Sequence, residues 1–170
     1  MKPKIKIIYS GHYRSQITIP MVKHVKKYLT KFDYDILCVE GSFEIPFAIA
    51  RSIKEDTINN EVKLGSFKGK GKEKIRDNIV QMAKLSQLNL DNQCIYSGYL
   101  ALGCIIKGKT INHEAISTAI FTNLQRISIE NNMPIGNGIF NANNMDEAKK
   151  NIKNALIKQL MLYITLYNIR

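Results

Sequence analysis

Four short apolar runs alternate along this chain with stretches in which apolar residues recur every three or four positions. The runs cover Ile5 to Tyr9, Ile36 to Val39, Tyr96 to Ile106 and Ile135 to Phe140. Continuous apolar runs indicate buried strands, and the spacing between them indicates amphipathic helices. Because parallel neighbours need a crossover helix, the alternation predicts an α/β fold, a three-layer αβα sandwich around a four-stranded parallel sheet. Ligands bind such sheets at the carboxyl ends of the strands.

Each predicted helix has a recognisable start. Hydroxyl, amide and proline residues favour helix N-termini because they satisfy, or do not need, the first backbone donors. In chain order these residues are Thr18 with Pro20, Ser42, and Asn144 with Glu147 in a capping-box arrangement. The remaining helix is predicted from about His113 to Asn131.

Length and charge limit the possible classes of protein. The chain has 170 residues, of which 45% are hydrophobic, so it can bury one sizeable core and we expect a single domain. Its net charge of +11 comes from lysines spread along the whole chain, without a basic stripe interleaved with stacking aromatics. We therefore expect solvated lysines and no nucleic-acid partner.

The cysteines indicate a reducing compartment. Cys38, Cys94 and Cys104 are an odd number without C-x-x-C spacing, which favours reduced, buried thiols in a cytoplasmic protein over a disulfide framework or a metal site. The apolar run at the basic N-terminus is too short for a signal peptide. Lys158 and Gln159 interrupt the other apolar candidate, so we expect no membrane span.

The segment Gly103 to Thr110 matches G-x-x-x-x-G-K-T, the pattern of a phosphate-binding P-loop. A P-loop turns between its glycines so that backbone N–H groups converge on phosphate. Here Cys104, Ile105 and Ile106 instead continue the preceding apolar run, as expected for a strand. No later strand candidate ends in an acidic residue for Mg²⁺. A nucleotide-binding site is therefore the weaker interpretation.

Three segments together resemble the lumazine synthase family. They are G-S-F-E-I-P at 41–46, A-L-G-C-I-I-K-G-K-T at 101–110 and M-P-I-G-N-G-I at 133–139. The resemblance runs from Ile5 to the last helix and implies a flavodoxin-like topology, with 55–93 as an insertion. That stretch contains the basic segment G-S-F-K-G-K-G-K-E-K, whose lysines either are solvated or approach phosphate or nucleic acid.

The resemblance also implies an activity. Family members condense 5-amino-6-ribitylaminouracil with 3,4-dihydroxy-2-butanone 4-phosphate, without a cofactor, to form 6,7-dimethyl-8-ribityllumazine in riboflavin biosynthesis. It implies homopentamers, or a larger shell built from them, with each site shared between neighbouring subunits. Riboflavin synthase is an implied partner.

The resemblance assigns roles to individual residues. An aromatic face suits a flat pyrimidine, a helix N-terminus and a carboxylate suit uracil and ribityl groups, and a cation with a hydroxyl suits phosphate. A strand edge would read the uracil ring, and the 137 position would come from the adjoining subunit. The implied substrate-binding residues are Tyr13, Ser42, Phe43, Glu44, Cys104, Ile105, Ile106, Lys109, Thr110 and Asn137.

Three positions depart from the family pattern. At Lys109 the family commonly has a glutamate, so the sign of the charge is reversed. The acid/base histidine of G-x-T-x-H falls on Asn112, with His113 next to it, so either His113 reaches the site or Asn112 is only a helix N-cap. His12 is a weaker substitute. The phosphate-binding arginine aligns with Asn151, and the lysines available to replace it are Lys149, Lys150 and Lys153. A family member that binds ligand or assembles without catalysis is the alternative.

Overall fold

The computed structural model describes the backbone of residues 2–64 and 95–152 and the side chains of residues 2–56 and 95–152. Among these, the residues up to Arg51 and from Tyr96 onward form one compact unit, and Ser52 to Ile95 delimit a second. The predicted insertion begins inside a helix that continues to Leu64. Its remainder, 65–93, lies outside the described residues, as does Cys94.

Strands and helices alternate through the described residues, as predicted. The strands are β1 (Lys4–Ser10), β2 (Asp33–Val39), β3 (Gly98–Ile106) and β4 (Ile135–Ala142). The helices are α1 (Ile19–Lys26), α2 (Ile45–Leu64), α3 (Asn112–Glu130) and α4, of which residues 145–152 are described. A π-helical turn, Arg14–Thr18, precedes α1.

All strand pairs are parallel, and the sheet order is β2-β1-β3-β4. This is the predicted α/β fold with a four-stranded parallel sheet. The chain moves from β1 outward to β2, returns to place β3 on the other side of β1, and continues outward to β4. The strand order therefore reverses between β1 and β3, which is where open α/β sheets form a crevice.

Helices cover both faces of the sheet. Eight of the nine residues of β3 are buried, so neighbouring side chains that point to opposite faces are both shielded. On one face, α1 and α4 share a core with alternate residues of β1 and β3. This core includes Met21 of α1, Ala148 of α4, Ile7 of β1 and Leu100 of β3. On the other face, α3 contacts β3 and β4. The three-layer prediction is confirmed.

Of the predicted helix caps, the one at Asn144 is confirmed and the one at Ser42 is wrong. The backbone N–H of Glu147 donates to Asn144 Oδ1 at 2.9 Å, as the capping box requires, although the Glu147 carboxylate accepts from Asn143 rather than from Asn144. Ser42 does not cap α2. That helix begins at Ile45, and the Ser42 hydroxyl lies buried without a hydrogen-bond partner among the described residues.

The cysteine prediction is half right. Cys104 is a buried free thiol on β3, whereas Cys38 is a free thiol exposed on β2, the strand at the sheet edge. An edge strand pairs on one side only, so its side chains have fewer neighbours than the sequence run suggests. Within the described residues, no helix combines the length and apolarity needed to cross a bilayer.

A polar cluster joins the starts of the strands. Asp35 on β2 lies 2.8 Å from Lys4 Nζ on β1, and it accepts a 2.5 Å hydrogen bond from the hydroxyl of Tyr96, just before β3. Lys4 and then Tyr96 hold the pKa of the Asp35 carboxyl below its usual range, against the effect of burial. Ionised Asp35 therefore stabilises the fold.

We expect Asp35→Asn to lower the free energy of unfolding at pH 7 by less than about 1 kcal/mol, because the ion pair is partly exposed and screened. A lowered folded-state pKa contributes stability above the unfolded pKa of about 3.9, and that contribution is lost as pH falls through the folded value. Urea unfolding of both proteins from pH 7 to pH 2 should thus give curves that converge at acid pH. A difference that stayed constant over this range would contradict the assignment.

Candidate active site

The loops that follow β1, β2 and β3 enclose a cleft at the carboxyl ends of these strands. Its volume is about 370 Å³. The topology explains its position, because the loops after β1 and β3 diverge where the strand order reverses. The lining residues are His12, Tyr13, Gly41, Ser42, Phe43, Glu44, Cys104, Ile105, Ile106, Gly108, Thr110, Asn112, His113 and Ile116.

Most residues singled out in the sequence meet at this cleft. Lys109 and Asn137 are the two implied site residues that do not line it. Lys109 is exposed on the bend between Gly108 and Thr110. Asn137 lies within β4, where its Oδ1 accepts from the N–H of Ile139 at 3.0 Å. A role for Asn137 in a neighbouring subunit's site stays a prediction.

Sequence reasoning gave little weight to four lining residues. Gly41 and Gly108 belong to the quoted motifs, but a glycine in a sequence indicates only a turn and not a position in a binding site. Ile116 is on the first turns of α3, four residues after Asn112, so helical spacing could have placed it on the same face. His12 is an exposed loop residue, and no periodic pattern marks such a position.

The first wall of the cleft is the loop after β1. Tyr13 has a left-handed backbone conformation, with φ of 54°, which costs a non-glycine residue roughly 1–2 kcal/mol. Its carbonyl accepts from the N–H of Ile17 at 2.9 Å, and its ring packs against the core cluster beneath α1. These contacts hold the strained residue in place, as is common at binding sites.

The second wall is the segment between β2 and α2. Ser42 is 7% exposed, and its hydroxyl points towards β3, where a Cβ on Gly103 would lie 2.5 Å from Ser42 Oγ. The absence of a side chain at Gly103 therefore makes room for Ser42. Phe43, by contrast, is 59% exposed although it is a large apolar residue at the cleft. This wall presents one exposed aromatic ring and one hydroxyl that has no hydrogen-bond partner in the described part of the chain.

The third wall is the end of β3. Pairing with β1 extends to Leu102, whereas pairing with β4 continues to Ile106. The edge of residues 103–106 that faces away from β4 is thus not covered by β1. The Cys104 side chain belongs to the core beneath α1, and burial, with a smaller effect of Glu147, raises the pKa of its thiol to about 12. Cys104 is neutral at physiological pH and cannot serve as a nucleophile.

The first turn of α3 completes the cleft. His113 Nδ1 lies 3.1 Å from the carbonyl oxygen of Thr110, which can only accept, so Nδ1 carries the proton of the neutral ring. In that tautomer Nε2 keeps its lone pair, as a general base requires, and it lies 3.8 Å from Glu114 Oε1. Ser117 Oγ contacts both the His113 carbonyl oxygen, at 2.5 Å, and Asn141 Oδ1 on β4, at 2.8 Å. This ties the turn to the sheet.

The start of α3 distinguishes the two interpretations of the Asn112–His113 pair. Asn112 is the first helical residue, and Ile111 occupies the N-cap position without a side-chain capping bond. The interpretation of Asn112 as an N-cap is therefore wrong. Both Asn112 and His113 line the cleft.

The P-loop geometry is absent from this segment. Gly103 to Ile106 are part of β3, and α3 begins two residues after Thr110. In a P-loop, the backbone between the glycines would curve around phosphate instead of continuing a strand. The sequence-based preference against a nucleotide site is supported by this geometry.

Comparison with known proteins gives consistent results. The family described as 6,7-dimethyl-8-ribityllumazine synthase matches residues 77–159. A 6,7-dimethyl-8-ribityllumazine synthase of Afipia carboxidovorans is 31% identical over 115 residues, 68% of this chain and 50% of the relative. One of Buchnera aphidicola subsp. Baizongia pistaciae is 46% identical over 59 residues, 35% of this chain and 37% of the relative. One of Bartonella tribocorum is 26% identical over 154 residues, 89% of this chain and 77% of the relative. The first of these alignments spans half the length of its relative, and the second about a third.

The close approach of Gly103 to Ser42 can be tested by a pair of substitutions. We expect Gly103→Ala to lower the free energy of unfolding by about 1 kcal/mol, the low end for over-packing, because the serine hydroxyl can rotate away. Ser42→Ala removes a buried hydroxyl without a partner and should leave stability unchanged or raise it by about 1 kcal/mol.

In the double variant, the new methyl group would meet only the Ser42 Cβ, 3.4 Å away, and the Ile139 side chain, 3.5 Å away. Urea unfolding should therefore give the double variant a stability close to that of Ser42→Ala. If Gly103→Ala lowered stability equally in the wild-type protein and in the Ser42→Ala variant, the loss of stability would not come from contact with the serine hydroxyl.

Proposed function

The chain belongs to the lumazine synthase family, and from this premise we propose that it condenses 5-amino-6-ribitylaminouracil with 3,4-dihydroxy-2-butanone 4-phosphate. The product is 6,7-dimethyl-8-ribityllumazine, a precursor of riboflavin, and the reaction takes place in the cytoplasm. It proceeds through imine formation, loss of phosphate and ring closure, and it requires no cofactor.

One observation carries the proposal. Segments far apart in the chain meet around a single cleft, and residues that the family resemblance assigns to substrate binding line it: Tyr13, Ser42 to Glu44, Cys104 to Ile106 and Thr110. The first two lie outside the residues matched by the family model, 77–159. Their place in the cleft is therefore separate support.

The walls suit the pyrimidine substrate. In this proposal the Tyr13 ring stacks on the flat heterocycle, and the uncovered edge of residues 103–106 hydrogen-bonds to the uracil ring. The Ser42 hydroxyl gains the partner that it lacks in the described structure. Glu44 accepts hydrogen bonds from ribityl hydroxyls. A buried donor without a partner costs about 1–3 kcal/mol, so ligand binding would recover that free energy.

The phosphate end of the second substrate lies at the start of α3. The Thr110 hydroxyl and the first turn of the helix supply donors, and the helix dipole favours an anion there. Lys109, on the same bend, adds a positive charge. The position aligned with the family arginine is Asn151, and Lys149 and Lys150 are exposed near it in sequence. Lys153 lies outside the described residues.

His113 takes the role of the proton-transfer residue in this proposal. Its Nδ1 is engaged by the Thr110 carbonyl, so Nε2 is available to accept a proton from the attacking amine. General acid–base catalysis contributes roughly 10²- to 10⁴-fold in rate. Holding two reactants in the right geometry contributes about 7–11 kcal/mol. The cleft thus supplies the larger part of the rate enhancement, and a shifted histidine is compatible with turnover.

We further propose that the active form is a homopentamer, or a larger shell of pentamers, in which a neighbouring subunit completes the cleft through its Asn137. The wide exposure of Phe43 beside the cleft agrees with a further layer over that wall. Riboflavin synthase, which consumes the product, is the proposed partner.

A turnover assay tests the function directly. Purified protein mixed with both substrates should form the fluorescent lumazine faster than the substrates do alone, with saturation in each. A matched measurement of pyrimidine binding by calorimetry identifies the alternative, suggested by Asn112: a family member that binds ligand without catalysis. If the protein bound the pyrimidine but formed no product above the uncatalysed rate, the enzymatic function would be wrong and the ligand-binding alternative would be supported.

Two exposed phenylalanines offer a matched pair of variants. Phe43 lines the cleft, whereas Phe47, on α2, is 70% exposed and does not line it. We expect Phe43→Ala to raise the KM for the pyrimidine about tenfold, because an aromatic contact is worth roughly 1 kcal/mol or slightly more. Phe47→Ala should leave KM unchanged, and both variants should unfold at the same urea concentration as wild type. Equal effects of the two substitutions on KM would argue against Phe43 as a substrate contact.

A further inference from the structure

His12 lines the same cleft as His113 but belongs to a different segment of the chain. It follows β1, whereas His113 is on the first turn of α3, after β3. The chain has three histidines. The third, His24, is half-buried on α1 with its ring against Tyr28, and it does not line the cleft. Two of the three histidines therefore converge on one site.

The backbone on either side of His12 is fixed. Gly11 donates its N–H to the Val39 carbonyl at 2.6 Å, and a Cβ on Gly11 would lie 3.0 Å from that oxygen, so a larger residue would loosen the contact. His12 itself donates its N–H to Ser10 Oγ at 3.2 Å. On the other side, Tyr13 holds its left-handed conformation. His12 thus lies in a loop that is held to β2.

The imidazole ring is also oriented. Its centroid lies 4.4 Å from the centroid of the Tyr13 ring, with the two planes at 74° to each other. An edge-to-face pair of this kind is favourable and directional. If Tyr13 stacks on the pyrimidine, as in the proposed function, the His12 ring is next to the ring that carries the reacting amine.

Imine formation requires two proton transfers in each of its two stages. One residue with a single available nitrogen can accept a proton or donate one, but it cannot do both in the same event. The described part of the cleft contains two imidazoles, which are the side chains best suited to exchange protons near neutral pH.

We infer that His12 is a second proton-transfer residue, which acts as the acid while His113 acts as the base. This inference rests on the proposed function. When the amine nitrogen attacks the ketone carbon and the C–N bond forms, protonated His12 gives its proton to the carbonyl oxygen. His113 Nε2 takes one proton from the nitrogen, and the product is a neutral carbinolamine.

The second stage restores both residues. Protonated His113 gives its proton to the hydroxyl oxygen, the C–O bond breaks and water leaves. The nitrogen loses its second proton to His12 as the C=N bond forms. Two protons have moved from nitrogen to oxygen, and each histidine ends in the state in which it began.

The neighbouring ionisable groups do not replace His12. The other titratable side chains that line the cleft are Tyr13, Glu44, Cys104 and His113; Arg14 follows in the next turn, and Glu114, which does not line the cleft, has Oε1 at 3.8 Å from His113 Nε2. The raised pKa of Cys104 keeps it neutral, and Arg14 does not release its proton at physiological pH. Glu44 comes from the loop after β2, where the family resemblance places it on the ribityl chain.

The test compares His12→Gln with His24→Gln, since His24 lies outside the cleft. We expect His12→Gln to lower kcat about 10²-fold, the low end for general acid–base catalysis, while pyrimidine affinity by calorimetry stays within about twofold. The pH profile of kcat/KM should lose its alkaline limb, because that limb reports deprotonation of the acid. Imidazole in the buffer should partly restore kcat in His12→Ala. His24→Gln should behave like wild type in all of these measurements.

The outcomes separate this inference from the function on which it rests. A His12→Gln enzyme with wild-type kcat would overturn it, as would a raised KM with kcat unchanged, which would make His12 a binding residue. A loss of kcat that imidazole does not restore, with both limbs of the pH profile intact, would reduce His12 to a structural role. Absence of turnover in the wild-type protein would remove the proposed function and this inference together.

Discussion

The parallel pairing of β1 with β3 is the constraint on which the rest of the structure depends. These two strands are adjacent in space but separated in sequence by β2 and α2, so their loops leave the sheet in different directions. A gap opens between the loops, and the strand lengths deepen it. Because β3 continues for four residues beyond its last pair with β1, its end forms a wall above the end of β1. The position of the cleft therefore follows from sheet topology and strand register, and the side chains determine only its chemical character.

The sequence predicted β3 because this strand is buried on both faces. A run such as Tyr99 to Ile106 is apolar at nearly every position, and only a strand covered on both faces explains it. The Asn144 cap was predicted because the bond it makes is local, to a backbone group three residues away. The Ser42 helix cap was predicted wrongly because the position of this side chain depends on Gly103, a residue 61 positions along the chain that leaves space for it. Helix-capping propensity depends on neighbouring residues in the sequence and does not predict such a long-range contact.

His12 shows the other limit of sequence reasoning. Periodicity marks residues that face a core, and an exposed loop residue faces none. Its place at the cleft depends on Gly11, whose close contact with β2 fixes the loop, and on Tyr13, whose ring lies edge-to-face with the imidazole. Lys109 is the converse case: a motif marked it, yet its side chain does not line the described cleft. A motif predicts which segment is at a site more reliably than it predicts which side chains point into it.

The cleft contains features that cost stability. Tyr13 adopts a strained backbone conformation, Ser42 buries a hydroxyl without a partner, and Phe43 leaves an aromatic ring in water. The left-handed backbone of Tyr13 and the buried hydroxyl of Ser42 each cost about 1 kcal/mol or more, and the hydroxyl has no hydrogen-bond partner among the described residues. A chain selected for stability alone would relieve them by single substitutions. Their concentration around one cleft is best explained if a ligand supplies the missing interactions: a flat ring for Tyr13 and Phe43, and an acceptor or donor for Ser42. In the proposed function, a histidine one position away from the family pattern is compatible with turnover, since the free energy of holding two substrates exceeds that of moving one proton.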